Sequence, residues 1–113
     1  MESSIRVARS LDCTTISVMG IFSFGLHAAF RAAYKDENPN QIAGFIFIID
    51  LSRTTRIDSS ALGMLLLLRE EHGGRNDNIR LVSANKDVAK VLKMASFDRI
   101  FWWNNVAYLT SRP

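Results

Sequence analysis

Residues Ala43 to Leu51, AGFIFIIDL, form an almost unbroken apolar run rich in isoleucine and phenylalanine. The run is far short of the ~20 residues that cross a membrane, and its β-branched and aromatic content suits a strand. It predicts a central strand covered on both faces, as in a sheet whose parallel strands are joined by helices. A polar link, Ser52 to Arg56, follows it and leads to Ile57-Asp58-Ser59-Ser60. Ala61 to His72 is then built almost wholly of strong helix formers, so a helix is expected to begin at the serines and stop at Gly73-Gly74.

The flanking segments supply the rest of an alternating pattern. Ile5 to Arg9 and Thr14 to Met19 read as an antiparallel strand pair ending at Gly20. From Ser23, residues Leu26, Ala29, Phe30, Ala33 and Tyr34 recur at helical spacing, and Asn38-Pro39-Asn40 closes that helix. Ile79 to Ser83 is a short strand. Val88, Val91, Leu92 and Ala95 then mark one face of a helix capped by Asn85, and Ile100 to Trp103 is a final strand. The expected fold class is α/β: a mixed, mostly parallel sheet with helices packed on it, forming a single domain over residues 1–113. In such folds contacts with ligands or partners gather at the carboxyl ends of the strands, which here carry Ser52 to Ser60.

With 48% hydrophobic and 22% charged residues the chain is expected to fold on its own. Its net charge of +3 is spread over separated arginines, which argues against nucleic acid as the main partner. A single cysteine, Cys13, excludes an internal disulfide or a thiolate metal cluster and suits a reducing, cytoplasmic setting. The first residues, Met1-Glu2-Ser3-Ser4-Ile5-Arg6, do not have the form of a secretory signal, and no run is long enough for a membrane span. No cofactor is expected. Gly73-Gly74 follows a helix rather than opening one, so it reads as a C-cap and not as a phosphate loop. His27 and His72 lie far apart without metal-ligand spacing, Cys13 has no adjacent base, and Trp102-Trp103 reads as one ring packed inward beside one partly exposed.

The junction Asp58-Ser59-Ser60 is where chemistry concentrates. Serine and aspartate are the residues expected at a helix N-cap, whose oxygen takes a backbone N–H that the helix leaves unpaired. That need accounts for one or two of the three. A surplus hydroxyl in the first turn would sit near the positive end of the helix dipole, where a phosphate is tolerated. At 100° per residue, Ser60, Gly63, Met64, Leu67 and Glu71 share one side of this helix, and Ala61, Leu62, Leu65 and Leu68 the other. Assigning the second group to the sheet leaves Met64 and Leu67 outward, an apolar patch beside a modifiable hydroxyl.

The string IIDLSRTTRIDSSALGMLLLLRE closely resembles the signature of the STAS domain, and in particular of the bacterial anti-sigma factor antagonists. The resemblance rests on Asp50, Leu51, Ser52, Asp58, Ser59, Ser60, Leu62 and Gly63, and extends to Gly20, the Lys86–Ala95 helix and Phe97 with Ile100-Phe101. Ala61 stands where many members have glycine, and Ser23 where an acidic residue is frequent. The resemblance implies a partner switch. The unphosphorylated protein, monomeric when free, would bind an anti-sigma factor that is also a GHKL-type serine kinase and so release the kinase's client. The kinase would phosphorylate Ser60, with Ser59 the alternative, and a PP2C-type phosphatase would reverse the mark. Asp58, Ser59, Gly63, Met64 and Leu67 would contact the partner, and the domain itself would catalyse nothing. The competing reading is a STAS-like subunit docked constitutively in a transport or scaffolding complex, with the serines acting only as caps. A hydrolase using Ser60 would need a positioned base that the sequence does not supply.

Overall fold

The computed structural model describes residues 2–37, 44–73 and 78–104. Strands β1 (Ser4–Arg9) and β2 (Cys13–Phe22) form the expected antiparallel pair. A 3-10 turn over Phe24–Leu26 leads into helix α1 (His27–Tyr34). Strands β3 (Ile46–Asp50) and β4 (Thr54–Ile57) precede helix α2 (Ser59–Leu68), which continues as a π-helical turn over Arg69–Gly73. Strand β5 (Ile79–Val82), helix α3 (Lys86–Met94), a 3-10 turn over Phe97–Arg99 and strand β6 (Trp102–Asn104) complete the order. The strands form one six-stranded sheet in the order β1-β2-β3-β5-β6, with β4 on β2; only β1 runs antiparallel to its neighbour.

Four expectations are corrected. The strand expected to end at Gly20 runs on to Phe22, past an irregularity between Gly20 and Ile21. The segment read as a polar link contains β4, whose Thr54 and Ile57 are buried while Thr55 and Arg56 stay exposed. The helix expected to stop at Gly73-Gly74 does continue to Gly73, with π geometry after Leu68, while Gly74 and the Asn38-Pro39-Asn40 turn lie outside the described residues. The AGFIFIIDL strand is fully buried on one face only: Phe47 and Ile49 are buried, whereas Ile46, Ile48 and Asp50 are half-buried. Ala29 of the first stripe is exposed, although Leu26, Phe30, Ala33 and Tyr34 are buried as the spacing predicts.

One core explains these features. It joins the inward faces of β2, β3 and β5 (Ile16, Val18, Phe47, Ile49, Leu81) to Phe30 and Tyr34 of α1, Leu65 and Leu68 of α2, and Val88 and Leu92 of α3. Strands alternate sides with a period of two, so a sheet with one buried face tolerates apolar residues on the other without covering them. Gly20 is required where β2 bends: it sits at φ +86, and a Cβ there would lie 2.9 Å from the Ser3 hydroxyl and 3.0 Å from the Ser3 Cα. The bend lets β2 pair first with β3 and then with β4. Asn85 secures the same region, accepting the Val88 N–H to cap α3 while its amide donates to the Thr54 carbonyl.

Candidate functional site

Strand β4 delivers the Asp58-Ser59-Ser60 junction to the carboxyl edge of the sheet. It runs parallel to the end of β2, with Phe22 paired to Ile57, and the Asp58 N–H donates to the Phe22 carbonyl at 3.3 Å. The chain then leaves the sheet directly into α2. Asp50-Leu51-Ser52 plays an earlier and separate part: the Asp50 Oδ1 accepts the Ser52 N–H at 2.9 Å, an aspartate turn that redirects the chain from β3 toward β4. Leu51 is fully buried beneath that turn.

Asp58 is the N-cap of α2. Its Oδ1 accepts the Ala61 N–H at 3.1 Å and the Ser60 hydroxyl at 2.6 Å. The Ser60 hydrogen bond, supported by backbone N–H groups, holds the Asp58 carboxyl below the usual carboxylate range. Aspartate therefore meets the capping need, and neither serine is the cap. Ser59 is exposed, and Ser60 is half-buried at the margin of the helix's inward face.

The helix faces differ from the sequence reading. Ala61, Met64, Leu65 and Leu68 point into the core, with Met64 only 5% exposed, so Met64 is not an outward contact residue. Leu67 is half-buried, and Leu62, on the side the spacing assigns to the sheet, is only partly covered. The outward face is centred on Ser59, Gly63 and Leu66, with Leu66 42% exposed. A helix apolar on every side gives no periodic signal to set its rotation, which is why Leu66 escaped notice. Among the described residues, Gly63 has no atom beyond its own helix backbone and chain neighbours within 4 Å of where a Cβ would stand, so the packing there does not call for glycine. Phe24, in the turn that follows β2 at the same sheet edge, is 70% exposed and stacks on His27. Sequence reasoning missed it too, because an isolated aromatic in a turn carries no pattern.

The remaining candidates have packing roles. His72 meets the rings of Tyr34 and Phe47, Trp102 lies beneath the Arg80 guanidinium at 4.8 Å, and Trp103 packs partly against the core. Cys13 is half-buried in β2. Among the described residues no group of three or more His, Cys, Asp or Glu could hold a metal, and no helix is long and apolar enough to cross a membrane.

Residues 5–106 match the family described as "Mlab, STAS domain". A STAS-domain containing protein of Pseudomonas aeruginosa (strain UCBPP-PA14) is 42% identical over 87 residues, covering 77% of this chain and 83% of that protein. The chain belongs to the STAS-domain family. Among solved structures, the fold is similar to that of an anti-sigma factor antagonist from Mycobacterium paratuberculosis (TM-score 0.74, 20% identity, covering 91% of this chain and 86% of that one). It is similar to the anti-sigma factor antagonist SpoIIAA in its unphosphorylated form (TM-score 0.61, 21% identity, covering 88% and 86%). It is also similar to a sulfate transporter family protein from Wolinella succinogenes (TM-score 0.67, 17% identity, covering 88% and 82%).

Proposed function

We propose that this protein is an anti-sigma factor antagonist whose docking surface at the start of α2 is switched by phosphorylation of Ser60, Ser59 being the alternative acceptor. The observation that carries this reading is the adjacency of three things at one helix start: a cap supplied by Asp58, a hydroxyl the cap does not need, and an outward apolar strip of Leu62, Gly63 and Leu66. Asp58 supplies the cap for the backbone, so neither serine hydroxyl is needed as the capping acceptor, and the Ser60 hydroxyl is engaged only as a donor to Asp58. Glycine inside a helix costs roughly 0.5–1 kcal/mol relative to alanine. At Gly63 nothing among the described residues repays that cost, and close approach of a partner backbone would.

The partner is a GHKL-type kinase that is itself an anti-sigma factor, with a PP2C-type phosphatase resetting the mark, as the family resemblance implies. In the cytoplasm the unphosphorylated domain occupies the kinase and frees its client; the domain is substrate and ligand rather than enzyme. Asp58, Ser59, Gly63 and Leu67 keep their proposed contact roles, and Leu62 and Leu66 replace Met64. A phosphate on Ser60 adds about −1.5 to −2 charges beside the Asp58 carboxylate. The helix N-terminus accepts that charge, whereas a desolvated apolar contact does not. Release thus follows from local electrostatics without refolding.

Titration calorimetry of the wild type, the phosphoprotein and Ser60→Asp against the kinase, with far-UV circular dichroism of each, tests this. Phosphorylation is expected to weaken binding at least tenfold, equivalent to ~1.4 kcal/mol, with an unchanged helical signal and Ser60→Asp in between. Equal affinities, or a phosphoprotein that loses its helices, would overturn the reading in favour of constitutive docking.

A further inference from the structure

Helix α3 carries a feature that the serine site does not explain. Lys86, Lys90 and Lys93 lie at positions i, i+4 and i+7 along one side, all exposed and with no ion pair among the described residues. Like charges at these spacings destabilise a helix. Lys86 also stands in the first turn, where the helix dipole disfavours a cation. Asp87 in the first turn and Lys93 in the last suit the dipole, so the unfavourable placements are Lys86 and the like-charge spacings Lys86 to Lys90 and Lys90 to Lys93.

The lysines border a groove of about 720 Å³ whose apolar lining is Ala89, Met94 and Trp103, with Asp98 the one acidic group. Met94 is 78% exposed. The pairing of Leu81 with Trp103 puts Trp103 on the same face of the sheet as the buried Leu81, the face the helices cover. Among the described residues that cover is incomplete at β6, and the groove has α3 as one wall, the edge of the sheet as its floor and a cationic rim.

We propose that this groove docks an acidic amphipathic helix of a partner protein, its apolar face on Ala89, Met94 and Trp103 and its carboxylates on Lys86, Lys90 and Lys93. Charge selects this occupant over residues 105–113 of the same chain, which hold no acidic side chain and one arginine. Such helix-in-groove docking uses apolar anchors for affinity and rim charges for orientation and rate. The site uses none of the residues of the α2 surface, so it engages its partner whether or not Ser60 is phosphorylated.

The test is an amide NMR titration of the full chain with a designed helical peptide bearing leucines on one face and glutamates on the other, beside a lysine-for-glutamate control. The glutamate peptide is expected to bind with micromolar affinity, shifting Ala89, Lys90, Lys93, Met94 and Trp103, and more weakly as salt rises. Lys90→Glu with Lys93→Glu should weaken binding at least tenfold, Met94→Asp should weaken it with the lysines intact, and Ser60→Asp should leave it unchanged. Four results overturn the proposal: equal or no binding of the two peptides, shifts confined to α2, tighter binding to phosphatidylglycerol vesicles than to the peptide, or binding gained only after residues 105–113 are deleted.

Discussion

The Ser60 hydroxyl donates a 2.6 Å hydrogen bond to the same Asp58 oxygen that accepts the Ala61 N–H and caps α2. The proposed phosphate acceptor and the helix cap are thus one hydrogen-bonded unit. Modification of Ser60 removes a proton donor from Asp58 and leaves the backbone donor in place, so the cap is altered but not abolished.

Substituting either partner separates their contributions. The Asp58 carboxyl is held below its usual range chiefly by the Ser60 hydroxyl. A folded-state pKa below the unfolded value gives stability that is present above the ordinary aspartate pKa of about 3.9 and lost as pH falls through the lowered value. In Ser60→Ala the Asp58 titration, followed by NMR, should move up toward the ordinary value with the fold intact. Asp58→Ala should cost about 0.5–2 kcal/mol by denaturant unfolding at neutral pH.

The corrected faces of α2 make opposite predictions for neighbouring leucines and methionine. Leu65 and Met64 are buried in the core, so Leu65→Ala and Met64→Ala should each cost about 2–5 kcal/mol. Leu66→Ala should change stability by less than about 1 kcal/mol, because its side chain is 42% exposed, yet weaken binding of the kinase. A Leu66→Ala variant that melts like Leu65→Ala would show the helix to be rotated from the orientation described.

Two glycines should respond with opposite signs to the same added methyl group. Gly20→Ala forces a side chain into the left-handed region and onto Ser3, and should destabilise by roughly 1–3 kcal/mol. Gly63→Ala meets nothing within 4 Å and should stabilise the free domain by roughly 0.5–1 kcal/mol, while reducing affinity for the partner. Thermal melts and calorimetry on the two variants check both halves.

Tyr34 supplies an alkaline signature of the core. Burial first, and the neighbouring Glu71 carboxylate second, push its phenol up to about 12. A raised folded-state pKa means stability that is complete below the unfolded value near 10 and declines as pH rises toward 12. Tyr34→Phe should remove that decline in unfolding measured across this pH interval.

How far the sequence specified the molecule follows from which signals were local. Asn85 and the Asp58-Ser59-Ser60 cluster marked helix starts because a cap is a contact of two or three residues, and both helices begin there. Leu26, Phe30, Ala33 and Tyr34 were legible as a buried stripe because α1 has a polar side to contrast with it. Strand β4 was not legible, since Thr54–Ile57 is short and its pairing with β2 depends on the irregularity at Gly20. The half-buried face of β3 was hidden for a related reason: Ile46 and Ile48 are as apolar as the buried Phe47 and Ile49. At the site, residue types identified the cap and the surplus serines. The leucine-rich helix could not reveal which leucines face solvent, and the structure moved Met64 inward and Leu66 outward.

The most direct measurement is intact-mass and phosphopeptide analysis of the protein isolated from its native cells across growth states. The account predicts a single phosphate that maps to Ser60, appears and disappears with physiological state, and is absent from Ser60→Ala. A protein that carries no phosphate in any state, or one whose phosphate maps outside Ser59 and Ser60, would contradict it.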